Sequence, residues 1–263
     1  MRVLRQVLDS KISIVREKAM SAVGAFAYAI GPKFSDYMPL FSLLLIDGIN
    51  NFKESKVCSE SVRVVGDICR ALDYLVLPFS KDIIQGLCYI CREGVDWSVK
   101  PHIFSSFGDL ELAIDIHFED YVPLVVPLLI DAANECAQNP DWGGYGNQLK
   151  QSIFVAYSGI LQGCKRSKAE IMKSLDVPHL FKFVQSAVED PNRDENVAVA
   201  AVAVLGDLAD AFALSPPNVK MFMEHLPLLS DFLGQCTLSE GERLKNTATR
   251  TLKMIDKISS IHR

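Results

Sequence analysis

The pairs Gly66-Asp67, Gly108-Asp109 and Gly206-Asp207 stand inside closely similar strings, VRVVGDICRAL (62–72), FSSFGDLELAI (104–114) and VAVLGDLADAF (202–212). A glycine beside a carboxylate has two chemical uses: the glycine lets a phosphate approach backbone N–H groups, and the carboxylate holds a cation or takes a proton. A phosphate loop needs several glycines at a strand-to-helix turn, with Lys-Ser/Thr in a P-loop. Each pair here lies alone within helical text, so a packing notch is the better reading of the glycine. Cys88 and Cys91 form a CxxC, but a structural zinc site requires a second pair or two histidines at matching spacing, and none follows. His102, His117, His179, His225 and His262 show no HxxxH or HExxH spacing, and no serine sits in a GxSxG elbow. No catalytic constellation emerges, and a non-enzymatic protein without cofactor or metal is expected.

The elements that carry these pairs repeat. Glycines recur at 24, 66, 108, 159 and 206, spaced 42, 42, 51 and 47 residues apart. Valine stands nine residues before four of them, at 15, 57, 99 and 197, with Lys150 in the fourth unit. Apolar or small residues fall five, four and one before the glycine and two and six after it, the stripe of an amphipathic helix and not the alternation of a strand. A second helix opens near each of Pro39, Pro78, Pro123, Pro178 and Pro227, since proline is tolerated in a first turn where its missing N–H has no partner. Pro127 lies one turn further in and is expected to kink its helix.

Helix pairs at this period mark HEAT or armadillo repeats, which stack because no single pair buries its own apolar face. Two helices per unit favour HEAT. The expected fold is all-α, an α-α superhelix of about five helix pairs (37–73, 77–115, 121–165, 177–214, 225–260) after a partial repeat at 1–31. The last unit, SEGERLKNTATRTLKMIDKI, lacks the glycine and carries Lys245, Arg250, Lys253 and Lys257, as an end cap with one face in water would. The excess spacing is assigned to longer loops at 134–148, 164–174 and 189–196.

Twenty-seven basic residues against 32 acidic, net charge −5, argue against a nucleic-acid binder and suit a basic protein partner. The seven cysteines (58, 69, 88, 91, 136, 164, 236) are scattered in apolar helical text as thiols of a reducing compartment would be. No signal-peptide pattern opens the chain, and no run reaches the ~18 apolar residues of a membrane span. A cytosolic or nuclear protein without membrane insertion is expected. The first unit lacks its first helix, so Met1 is expected to begin an excised fragment.

Glu60, Arg63, Asp67 and Arg70 fall along one stripe of their helix. Together with Asp109 and Asp207 they read either as ion pairs within and between repeats or as an acidic ladder that accepts a basic ligand. Trp97, before a helix, and Trp142, in the 134–148 loop, either cover a core edge or anchor a partner. Phe41, Phe79 and Phe181 belong mainly to the repeat core, while shallow grooves between outer helices, with Phe41 and Phe79 as their candidates, offer room for a phenylalanine from a partner.

The strings KVCSESVRVVGDICRAL, SVKPHIFSSFGDLELAI and VAAVAVLGDLADAF, with AYSGILQG between the last two, resemble in order and spacing the C-terminal HEAT repeats of the importin β (karyopherin β) family of nuclear import receptors. The resemblance covers nearly the whole chain. It implies a shuttling receptor of cytoplasm, nucleus and nuclear pore. Its inner helices would hold the basic importin-β-binding segment of importin α through acidic and aromatic side chains, with Glu60, Asp67, Asp109 and Asp207 as counterparts. Its outer helices would take phenylalanine-glycine nucleoporins, and Ran would be bound mainly through an N-terminal half outside this chain. One departure stands out: Thr247, in KNTATRTL, replaces the tryptophan common in the family's final helix, leaving the implied aromatic clamp without its ring. A HEAT scaffold of another kind, such as a phosphatase or vesicle-coat subunit with a folded partner, is the rival expectation.

Overall fold

The computed structural model describes residues 6–163, 174–213 and 216–261. Its elements are helices joined by turns and short 3-10 segments, in two units divided between Leu128 and Leu129.

In the first unit α1 (Ser13–Ile30), α3 (Ser55–Leu72) and α5 (Lys100–Ile114) pack in succession, forming one layer. In the other layer α2 (Met38–Asn50) packs on α4 (Leu77–Arg92). α6 (Val122–Gln138) begins at the end of this unit. The glycine-bearing helices are α1, α3 and α5, and the proline-started ones are α2, α4 and α6, with Pro39, Pro78 and Pro123 at the second position of each. α3 is buried on several sides: Val57, Val62, Val64, Val65 and Ile68 all lie in the core because the helix meets both neighbours of its layer and a helix of the other.

These inner helices stop in the same way. Gly31 (φ 59°), Asp73 (φ 49°) and Asp115 (φ 49°), 42 residues apart, each donate their N–H to the carbonyl four residues back, on Ala27, Cys69 and Glu111. Left-handed φ is open to glycine and tolerated by aspartate better than by most residues, and it turns the chain into a 3-10 segment. Each segment drops one apolar residue, Phe34, Val76 or Phe118, into the core with no exposure. This second 42-residue rhythm escapes a search for apolar stripes, because its signal is a turn residue plus one anchor. Strain at a non-glycine residue in such a conformation is worth about 1–3 kcal/mol, and glycine's extra freedom in the unfolded chain offsets part of it. Asp115 is solvent-exposed, so Asp115→Gly should raise stability by about 1 kcal/mol, read as a higher urea midpoint. A midpoint that fell would show the aspartate side chain to be stabilising.

In the second unit α7 (Gly143–Gly163) packs on α9 (Glu195–Phe212), and α9 on α12 (Glu242–Ile261). α8 (Val177–Glu189), α10 (Pro216–His225) and α11 (Pro227–Thr237) complete it, with α8 against α9 and α11 against α12. Asp176 and Asp194 cap α8 and α9 by accepting the N–H of His179 (3.0 Å) and Val197 (2.9 Å).

One expectation is corrected here. The stretch 134–148 is not a long loop: α6 runs on to Gln138, a 3-10 turn spans Pro140–Trp142, and α7 starts at Gly143, whose φ is 54°. The added residues lengthen helices, because Gly143 gives the turn the chain needs in one residue. Pro127 lies inside α6, which continues across it. The helix α10 was unforeseen, falling between the expected repeats 177–214 and 225–260. Its Val219 and Phe222 are buried, and the Phe222 ring packs edge-on against Phe181 and Phe212. Most of the 164–174 segment lies outside the described residues.

Candidate functional site

The Gly-Asp pairs explain each other. A Cβ at Gly24 would lie 2.5 Å from the Asp67 carboxylate, and a Cβ at Gly66 would lie 2.4 Å from that of Asp109. The glycine of one repeat is therefore the seat for the aspartate of the next. Gly206 is filled in the same way by Thr251 of α12, at 2.7 Å from where a Cβ would stand, and the Thr251 hydroxyl donates to the Val202 carbonyl (2.9 Å). Ser106 makes the matching bond to the Val62 carbonyl (3.0 Å) in the first unit. Hydroxyls thus stitch inner helix to inner helix where glycine allows close approach.

Asp67 and Asp109 are brought together by Arg70, which donates to Asp67 at 2.8 Å and to both oxygens of Asp109 at 3.1 and 3.2 Å. Burial raises the Asp109 carboxyl above its ordinary value, with Arg70 opposing. Glu60 accepts from Ser21 (2.6 Å) and stands 3.8 Å from Arg63, itself largely exposed. Glu60, Asp67 and Asp109 keep roughly a fifth to two fifths of their side-chain surface in solvent. In the second unit Asp207 accepts from Ser158 and Gln162 of α7, and burial raises its carboxyl despite these bonds. Of the two roles foreseen for these residues the structure shows the first: they tie repeats together, and Glu60, Asp67 and Asp109 keep part of their carboxylate surface in water.

The aromatic candidates divide. Trp97 is 60% exposed at the start of α5, whereas Trp142 is half-buried against Tyr145, ring centroids 5.1 Å apart. Phe41 is corrected: with no exposure, and its ring edge-on to Phe34 at 5.8 Å, it lies in the core and lines no groove. Phe79 is half-buried at the start of α4, and Phe181 is buried in a stack with His225. The solvent-facing apolar residues of α2 are Leu40 and Leu43, the latter 73% exposed. Sequence reasoning missed them because MPLFSLLLIDGI is apolar all round and carries no stripe to show which side faces out. Beside them Gly86 of α4 lies against Ile46 and Ile49 of α2, and the Phe52 and Tyr89 rings meet edge-on at 6.3 Å.

Of the CxxC cysteines, Cys88 is buried, its thiol pushed up to about 11, and among the described residues no group of three or more His, Cys, Asp or Glu side chains gathers to hold an ion. No described helix is long and apolar enough to cross a membrane.

Two layers of helices, stitched by a device that recurs at the repeat period, define an α-helical repeat solenoid, a class whose sites are surfaces and not pockets. The family model for importin subunit beta-1-like proteins, described as TPR repeats, matches residues 1–228, and the chain belongs to this family. Importin subunit beta-1 of Arabidopsis thaliana is 38% identical over 248 residues, 92% of this chain and 28% of the relative. A crystal structure of importin beta matches at TM-score 0.86 and 28% identity, covering 98% of this chain and 30% of that one. The fold is shared, at 21% identity and TM-score 0.83, with a chain of a Kap95:Nup1 complex, over 99% of this chain and 30% of that one. This chain therefore spans less than a third of the length of the relatives it matches.

Proposed function

We propose that this chain is the part of a nuclear transport receptor that holds the basic importin-β-binding segment of importin α against its inner helices. On this reading it takes phenylalanine-glycine nucleoporins beside its outer ones and shuttles between cytoplasm and nucleus. The whole receptor would bind Ran mainly through parts outside this chain. The observation that carries the reading is the row of half-exposed carboxylates on successive inner helices, Glu60 and Asp67 on α3 and Asp109 on α5, in a chain of the importin-β family. Asp207 would contribute from the second unit. Trp97, and to a lesser extent Trp142, would add apolar contact. On the outer side Leu40, Leu43 and Phe79 replace Phe41 as the surface for a nucleoporin phenylalanine. No surface feature favours the phosphatase or coat scaffold.

Arg70 sharpens the test. It already sits between Asp67 and Asp109, so an incoming cation must share or displace it. A basic importin-α segment titrated at low and high salt should bind and weaken as salt rises. Arg70→Ala should tighten that binding about three- to ten-fold while lowering stability slightly, because an exposed ion pair is worth at most about 1 kcal/mol. Asp67→Asn/Asp109→Asn should do the opposite to affinity. Absence of binding at low salt by the folded chain, or affinity indifferent to Arg70, would overturn this assignment.

A further inference from the structure

The final helix reverses the charge of the chain. α12 carries Arg243, Lys245, Arg250, Lys253 and Lys257 against Glu242 and Asp256, five to two, while the whole chain has 27 basic to 32 acidic. The remainder is thus 22 to 30. Asn246, Arg250, Lys253 and Lys257 follow each other at four, three and four residues, one line along the helix. With Thr249 and Met254 they line a concavity of about 470 Å³. Met254 reaches the seam with α9, its sulfur 3.5 Å from where a Cβ on Gly206 would stand, and it is the one apolar side chain among the lining residues, all of which belong to α12. Arg250, Lys253 and Lys257 are exposed; Arg250 lies near enough to Asp207 of α9 to favour its charged form, and none of the three forms a salt bridge with a described carboxylate.

We infer that this groove on α12 is a second docking site, of sign opposite to the inner carboxylates, for a short acidic segment of a partner protein with an apolar residue among its acids. The dimensions and surroundings select this occupant. From Asn246 to Lys257 the helix rises about 17 Å, the reach of about five extended residues. Arg250 and Lys257 stand about 10 Å apart along the axis, with Lys253 between them, a spread of charge that successive acidic side chains of one segment can match. A nucleic acid would place its charges beyond the groove and over α9, which has Glu195, Asp207 and Asp210 and neither lysine nor arginine. Met254, between the cations, has no use for a phosphodiester and suits a leucine or methionine side chain.

The probe is a fluorescein-labelled Glu-Asp-Leu-Glu-Glu peptide, titrated by fluorescence anisotropy against the 263-residue chain at low and high salt. Binding that weakens with salt is expected. Lys253→Gln should weaken it about five-fold, and Arg250→Glu/Lys253→Glu/Lys257→Glu about fifty-fold or more, whereas Lys81→Glu, an exposed lysine on α4, should leave it unchanged. Circular dichroism confirms that the triple variant folds, and if it does not, Lys253→Gln decides. The inference fails if the peptide does not bind at low salt, if Lys81→Glu weakens it as much as Lys253→Gln does, or if a short oligothymidine binds this groove more tightly than the peptide. The outcome is independent of importin-α binding, which needs a ligand of opposite charge.

Discussion

Gly66→Val is expected to destabilise the protein by about 2–3 kcal/mol, in the range for forcing extra atoms into a packed contact, even though valine is the better helix former. The first added carbon meets the Asp109 carboxylate at 2.4 Å and the Arg70 guanidinium at 3.3 Å, so the bridge Asp67–Arg70–Asp109 has to open before α3 and α5 can close. Urea unfolding measures the loss. The cause is isolated by Gly66→Ala in two backgrounds. In the parent chain the methyl displaces Asp109, and the gain of about 1 kcal/mol from helix propensity is lost. In Asp109→Ala the seat is empty, and the same change should be stabilising. Equal effects in both backgrounds would mean that the glycine serves something other than the carboxylate of the next repeat. The coupling tests the packing device alone, without any partner.

Asp190→Ala is expected to cost about 2–3 kcal/mol, toward the lower end for breaking a sheltered ion pair. Lys150 replaces the valine found at this position of the other units; its side chain is 9% exposed, and its ammonium bonds to Asp190 at the turn between α8 and α9. Removing the aspartate strands a cation in a place built for an apolar side chain. Removing the lysine is milder: Asp190, which also accepts the Asn192 N–H (2.8 Å), stays next to water, so Lys150→Met should lie within about 1 kcal/mol of the parent. The pH dependence has a definite sign. The Lys150 hydrogen bond holds the Asp190 carboxyl below its ordinary 3.8. A depressed carboxylate stabilises the fold above the unfolded value and loses that contribution as pH falls through the folded one. Thermal melts of the parent and Asp190→Asn should therefore differ at neutral pH and converge below about pH 4. A gap that persisted into acid would assign the effect to packing.

Repetition made the inner helices legible. A glycine with valine nine residues before it and apolar residues at helical offsets marks α1, α3, α5 and α9, and the first-turn prolines mark α2, α4, α6, α8 and α11. Two features escaped because their signal does not repeat as a stripe. The capping residues Gly31, Asp73 and Asp115 recur at 42 residues but share a backbone conformation and not a side chain. The solvent face of α2, Leu40 and Leu43 beside the core residue Phe41, was not legible because a helix apolar on every side carries no amphipathic phase. The fourth unit deceived in another way: the residues between Asn134 and Gln148 have loop composition, yet all but a short turn belong to helices, since neighbouring helices decide how far an end is propagated.

By itself the sequence determined the class of the protein and its family, because a period and a set of motifs are properties of order along the chain. It also placed the chemistry, ranking carboxylates on inner helices above any catalytic group. Only the tertiary structure decided what those carboxylates do, since that depends on which atoms of the next repeat stand opposite. Gly24 and Gly66 became seats for Asp67 and Asp109, Arg70 became the bridge between those two carboxylates, and three basic residues of α12 came to line one concavity. Proximity across 40 or more residues is set by how helices stack, and no local pattern encodes it.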